Sequence, residues 1–164
     1  MNAKIMIIWL IIVIMFLNYA IYAKEKIRNS GENVFLEISP EGYRSIIKGY
    51  YIRLRYDIEK KIPYKYVSSS PDRGYIVVSV GNNKVAHFAR MYAGEVLSPS
   101  ERLIRFHKNK NKYSISIVPS SFFVQETSVE AYKNSRYAIF KFGKSGEYIL
   151  VKLADKDKRA INFS

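Results

Sequence analysis

Hydrophobic and polar positions divide this chain into one long apolar run and a series of short alternating runs. Residues 5–23 read IMIIWLIIVIMFLNYAIYA, nineteen positions without a charge. A helix of that length spans about 28 Å, which matches the hydrocarbon core of a bilayer. The run therefore predicts one transmembrane helix. The alternative is a signal peptide cleaved after Ala23, but signal cores are usually only about 7–15 residues long, which favours an anchor.

Beyond the apolar run, short β-type runs alternate with turn residues, as in a sandwich or barrel. Turn-forming residues at 81–83, 109–111 and 143–146 each predict an antiparallel hairpin. One short helix is predicted at 129–133, after an N-capping Ser128. The strands are predicted at residues 34–38, 51–58, 75–80, 84–92, 102–107, 113–118, 137–142 and 148–153. The expected fold class is mainly β: a single antiparallel β-sandwich or barrel-like domain of about eight strands, preceded by one N-terminal transmembrane helix.

Run 51–58 has the clearest two-sided pattern, because an extended strand would place its apolar and polar side chains on opposite faces. The face expected in the core carries Ile52, Leu54, Tyr56 and Ile58. The face expected in water carries Tyr51, Arg53, Arg55 and Asp57. Three of these exposed residues, Tyr51, Arg53 and Arg55, form the candidate interaction face.

Composition narrows the possible chemistry. There is no cysteine, which excludes disulfides, thiolate metal sites and a cysteine nucleophile. Lys and Arg outnumber Asp and Glu by 27 to 14, a net charge of +13. That excess favours contact with polyanions such as anionic lipid headgroups or acidic envelope polymers, and solubility alone is the simpler explanation. Lys24, Lys26 and Arg28 follow the apolar run, where we expect them to hold the domain near headgroups.

Residues 49–56, GYYIRLRY, resemble the signature of the GDYXXLXY family of bacterial membrane-anchored proteins. Gly49, Tyr51, Leu54 and Tyr56 stand at named positions of the signature, whereas Tyr50 stands where the signature has Asp. The resemblance continues downstream, for example at 122–124 and 136–138. It implies a single N-terminal membrane helix, an exported β-rich domain, and a gene neighbour that encodes a multi-spanning membrane protein. The family has no established activity.

These observations give an expected organisation. Residues 1–4 form a short tail, 5–23 the signal-anchor helix, 24–33 a juxtamembrane connector, and 34–164 the β domain. A strict count of positive charges would keep the domain in the cytoplasm, but long domains after a signal-like segment cross largely regardless of charge. We therefore expect a single-pass protein of the bacterial inner membrane, with its C-terminal domain on the periplasmic (extracytoplasmic) side.

Catalytic patterns are weak. Ser45 and Lys48 fit the S-x-x-K spacing of a Ser-Lys hydrolase, but bare motifs often mislead and the companion motifs are missing. A remote likeness to type I signal peptidases around residues 39–50 is equally loose, because the Ser-Met pair and the Asp of those enzymes are missing. His87 and His107 lack further donors at ligand spacing, and a metal site needs three or four.

The expected function is therefore a non-enzymatic accessory or assembly partner of a polytopic membrane protein. The expected contacts are membrane lipid through the N-terminal helix and one membrane protein, with no cofactor, metal or nucleic acid. Two alternatives remain: a membrane-anchored serine hydrolase that uses Ser45 and Lys48, and a binder of acidic envelope polymers.

Overall fold

The computed structural model describes residues 3–39, 51–109, 114–124, 129–132, 134–144 and 146–161. Within these ranges there are four helices and nine strands. The helices are α1 (Ala3–Ser30), α2 (Asp57–Lys61), α3 (Tyr64–Ser69) and α4 (Val129–Tyr132). The strands are β1 (Glu32–Glu37), β2 (Tyr51–Arg53), β3 (Arg73–Val80), β4 (Ala86–Met91), β5 (Glu101–Asn109), β6 (Ser114–Ile117), β7 (Ser121–Phe123), β8 (Tyr137–Phe142) and β9 (Tyr148–Ala154).

Helix α1 contains the apolar run and extends beyond it. The side chains of residues 4–22 are all exposed, and the helix is long and apolar enough to cross a membrane. Because Lys, Glu and Arg are good helix formers, the helix continues through the charged residues that follow the run. It ends at Ser30, so Gly31 is the only residue between α1 and β1. The segment expected as a connector at 24–33 is thus largely helical.

The strands form three antiparallel sheets, ordered β1-β8-β9, β4-β3-β5-β6 and β2-β7. The hairpins predicted at 81–83 and 143–146 are present as β3–β4 and β8–β9. Strands β5 and β6 also pair antiparallel; residues 110–113 between them, where the third hairpin turn is expected, lie outside the described residues. A bridge between Phe35 and Val85 connects the two larger sheets. The expected fold class, a mainly β antiparallel domain after an apolar helix, is confirmed.

All three sheets contribute apolar side chains to one core. The largest fully buried side chains include Tyr56, Phe106 and Phe140. The ring of Phe140 lies 5.8 Å from that of Tyr56 and 5.7 Å from that of Tyr148, within the range of favourable aromatic pairs. Burying one such ring contributes about 1.5–3 kcal/mol. Strand β8 therefore packs, through Phe140, against the segment that contains Tyr56.

The predicted strand 51–58 is wrong beyond Arg53, because the chain turns into helix α2 at Asp57. Acidic residues in its first turn and basic residues in its last complement the helix dipole. The Nζ of Lys61 lies 2.7 Å from Oδ2 of Asp57 one turn earlier, which supports the helix. The predicted burial is nevertheless correct: Leu54, Tyr56 and Ile58 are 2%, 0% and 6% exposed.

Two other short elements were not predicted. Helix α3 begins after Pro63, whose fixed backbone angle suits a helix start. Strand β7 has only three residues, too few for a periodic signal. The short helix predicted at 129–133 is confirmed as α4.

Candidate functional site

Strands β2 and β7 form a two-stranded ribbon apart from the larger sheets. Tyr51 lies opposite Phe123, and Arg53 lies opposite Ser121. A further hydrogen bond, 2.8 Å from the N–H of Leu54 to the carbonyl of Ser120, continues the pairing. The ribbon thus joins the signature segment to a stretch some seventy positions later in the chain.

The two faces of this ribbon differ in burial. On the inner face Ile52 and Phe122 are partly buried against the core, and the Phe122 ring lies 5.6 Å from that of Tyr132. On the outer face Tyr51 is 36% exposed and Phe123 is 79% exposed. Their rings meet edge to face with centroids 6.3 Å apart. A large apolar ring left this open to water is informative when it belongs to a cluster.

Two exposed cations follow Tyr51 in the chain. Arg53 is exposed on β2, and Arg55 is exposed two residues later. The backbone of Arg55 is fixed, because its carbonyl accepts a 2.7 Å hydrogen bond from the N–H of Ser39. We call the surface made by Tyr51, Arg53, Arg55 and Phe123 the ribbon face. It contains all three residues of the candidate interaction face, and Phe123 is the member that sequence reasoning missed.

The signature residues divide between surface and core. Leu54 and Tyr56 are buried, and the Tyr56 hydroxyl donates a 2.7 Å hydrogen bond to the carbonyl of Pro119. Burial raises the pKa of Tyr56 well above its usual value, so the hydroxyl remains a donor. Gly49 and Tyr50 lie outside the described residues. Among the described signature residues, Tyr56 thus holds the backbone that leads into β7, whereas Tyr51 is exposed at the surface.

Two further side chains hold the same backbone. Oε1 of Glu59 accepts a 2.8 Å hydrogen bond from the N–H of Ile117. The Tyr148 hydroxyl donates to the carbonyl of Val118 at 2.8 Å and accepts from the N–H of Arg105 at 2.9 Å. Burial raises the pKa of Glu59 to about 7. Side chains of Tyr56, Glu59 and Tyr148 thus hold residues 117–119, the segment that leads into β7.

Comparison with known proteins agrees with the signature. The model of the GDYXXLXY protein family matches residues 13–153. The chain belongs to the GDYXXLXY family. The match begins within the apolar run of α1 and ends in β9, so it includes the ribbon and the core. No curated protein and no solved structure matches the chain.

The other candidate residues of this GDYXXLXY protein are dispersed. Lys24, Lys26 and Arg28 are exposed on the last turns of α1. His87 and His107 are exposed on β4 and β5. In the described part of the chain, no group of three or more His, Asp or Glu side chains is placed to hold a metal ion. The possible catalytic pair at 45 and 48 lies outside the described residues.

Proposed function

We propose that this GDYXXLXY protein is a non-enzymatic, membrane-anchored accessory or assembly partner of a polytopic membrane protein. In this proposal the ribbon face binds an acidic extracytoplasmic segment of the partner. The observation that carries it is the 79% exposure of Phe123 opposite Tyr51 on a fixed ribbon. The proposal also assigns the protein to the bacterial inner membrane, with its β domain on the extracytoplasmic side.

The chemistry of the ribbon face suits a protein partner. Aromatic and arginine side chains are enriched at the energetic centres of interfaces, where they are buried on binding. Arg53 is exposed on the same strand as Tyr51, and Arg55 is exposed two residues later, so the complementary surface is acidic. Because the backbone that leads into β7 is already held by Tyr56 and Glu59, little ordering entropy would be lost on docking.

Anchoring supports a partner in the same membrane. The apolar side chains of α1 are exposed along residues 5–17, and the helix is suited to span a bilayer. Two proteins confined to one membrane meet at a high effective concentration, so a modest interface is enough for stable association. A long domain after such a helix crosses the membrane largely regardless of its charge.

The test is purification of tagged full-length protein from its native membrane in mild detergent, with identification of co-purifying chains by mass spectrometry. We expect one polytopic membrane protein in stoichiometric amount. Phe123→Ser and Arg53→Glu should each reduce its recovery by roughly tenfold, as expected for residues at an interface centre. Tyr64→Ser is the matched control, since Tyr64 is 62% exposed on α3 and outside the ribbon face.

Two results would contradict the proposal. If the wild-type protein is recovered without any polytopic membrane protein, it is not a stable subunit. If Phe123→Ser retains the partner as well as Tyr64→Ser does, the ribbon face is not the docking surface.

A further inference from the structure

The loop between β4 and β5, residues 92–100, exposes a second apolar side chain. Val96 is 94% exposed, more than any other large hydrophobic side chain in the described part of the chain. Single exposed aliphatic residues are common on protein surfaces. The exposure of Val96 differs from such cases in two respects: its loop is held by ion pairs and hydrogen bonds, and the loop lies next to α1.

The loop is held rigidly on both sides of Val96. The Arg90 guanidinium pairs with Glu95, at 2.8 Å from Nε to Oε1, and with Glu101. The same two carboxylates also bind the loop backbone. Oε2 of Glu95 accepts a 2.9 Å hydrogen bond from the N–H of Ala93, and Oε2 of Glu101 accepts one of 2.9 Å from the N–H of Ser98. An apolar side chain at the tip of a fixed loop cannot retreat from water by a local rearrangement.

The loop lies beside the membrane helix. A cleft of about 1060 Å³ separates them, and its walls include Tyr19 and Ala23 of α1 together with Leu97 of the loop. Tyr19 belongs to the charge-free run 5–23 and precedes its first charged neighbour, Lys24, by five positions. That distance is about 7.5 Å along a helix axis. Leu97 thus lines a cleft that extends to Tyr19, a part of α1 within the apolar run.

Charges around the cleft are balanced. Its lining includes three cations and three anions, namely Lys26, Arg102, Lys144, Glu32, Glu101 and Glu147. Arg102 forms an ion pair with Glu32 across the cleft wall. Because the charges of the cleft lining cancel, they do not favour anionic lipids. The attraction to a bilayer would then come from the apolar side chains of Val96 and Leu97.

We propose that loop 92–100 is a second membrane contact, in which Val96 and Leu97 insert at the boundary between headgroups and acyl chains beside α1. This inference rests on the membrane anchoring by α1 in the proposed function. Interfacial apolar segments are buried by about 5–10 Å into this boundary, which agrees with the level of Tyr19. Lipid then fills the cleft. Contact at both α1 and the loop fixes the tilt of the β domain, and with it the orientation of the ribbon face.

The absence of cysteine from the chain allows a direct test by single-site labelling. Val96→Cys, in the full-length protein, is labelled with a polarity-sensitive fluorophore and reconstituted into phosphatidylcholine vesicles. Nitroxide-labelled lipids then report contact with the bilayer. Because Val96 is 94% exposed, the label should not disturb folding.

Two matched sites give the reference values. Ser69→Cys lies on α3 near Lys108, whose Nζ contacts the carbonyl of Ser68 at 3.0 Å. Lys108 and Glu101 lie near opposite ends of β5, seven residues apart. At the rise of a strand this separation is about 23 Å. Phe16→Cys lies within the apolar run and reports insertion of α1 itself. We expect quenching at position 96 to exceed that at position 69 by roughly threefold or more, without a requirement for anionic lipid.

The outcomes separate this inference from the proposal on which it rests. Quenching at position 16 with only background quenching at 96 would overturn the loop contact and leave the anchor intact. Background quenching at both positions would overturn the anchor and the loop contact together. If position 96 becomes shielded only when a partner protein is added, the loop binds protein and the assignment to lipid is wrong.

Discussion

Replacement of Glu59 by glutamine is expected to stabilise the domain at neutral and alkaline pH and to change little in acid. Burial raises the pKa of this carboxyl from 4.5 to about 7, against the smaller opposing effects of the Ile117 N–H and of Arg55. The folded protein therefore keeps a proton on Glu59 over a pH range in which the unfolded chain has released it. Glutamine cannot ionise, and its carbonyl oxygen can still accept the hydrogen bond from Ile117.

The sign and size of the effect follow from this pKa. Below about pH 4.5 the carboxyl of Glu59 is protonated in both states and contributes nothing. Between 4.5 and 7 the folded state binds more protons, so the free energy of unfolding falls as pH rises, and above 7 the loss is complete. A shift of 2.5 pH units, 7 minus 4.5, corresponds to about 3 kcal/mol. Since the side chain retains some contact with water, we expect an observed gain of about 1–2 kcal/mol.

The assay is urea unfolding of the full-length protein in detergent micelles, followed by circular dichroism of its β structure. Titrations at about pH 5 and about pH 8 bracket the transition of Glu59. Glu147→Gln, at an exposed position, controls for the loss of one negative charge. Equal pH profiles for wild type and Glu59→Gln would refute the reasoning. So would a variant that is less stable than wild type at pH 8, because the ionised carboxylate would then be stabilising.

Two other substitutions test the packing in the same urea titration. Tyr56→Phe removes a buried hydroxyl that donates a hydrogen bond and should cost about 1–2 kcal/mol; if the exposed Tyr51→Phe costs as much, burial is not the reason. Gly31→Ala would place a Cβ 2.4 Å from the carbonyl oxygen of Ile27, and should cost about 1–3 kcal/mol through overpacking. Ser30→Ala, at an exposed neighbour, should be nearly neutral, and equal effects at both positions would exclude a steric origin.

The sequence predicts most strands because their signals are local. The turn at 81–83 and the glycines at 143 and 146 fix two hairpins, and alternation marks the buried face of each strand. The error at 51–58 has a definite cause. Ile58 and Ile62 are four positions apart and both buried, which is the spacing of a helix face. Ile58 also fits the two-residue period of the preceding strand. The local pattern is therefore compatible with a strand and with a helix, and the tertiary structure determines which one forms.

From the sequence, only those residues of the candidate site that lie close together in the chain can be predicted. Tyr51, Arg53 and Arg55 are exposed as their alternation predicts. Phe123 joins them through the pairing of β2 with β7, which depends on tertiary structure and leaves no trace in either segment alone. The same is true of Glu59, whose partner is the backbone N–H of Ile117. The sequence marks Lys24 and Lys26 as the end of the apolar run, but it does not show that they continue the same helix.

That continuity links the apolar helix α1 to the β domain that carries the proposed docking surface. Helix α1 runs to Ser30, and the N–H of Gly31 then donates to the carbonyl of Ile27 at 2.8 Å before β1 begins. Ile27 is 6% exposed, and a Cβ on Gly143 would lie 3.1 Å from its Cγ1. The last turn of the helix is therefore packed on the β8–β9 hairpin and not joined to it by a flexible linker. A domain attached in this way follows the orientation of its helix. Under the proposed membrane anchoring, a partner in the same bilayer would therefore meet the ribbon face at a defined height.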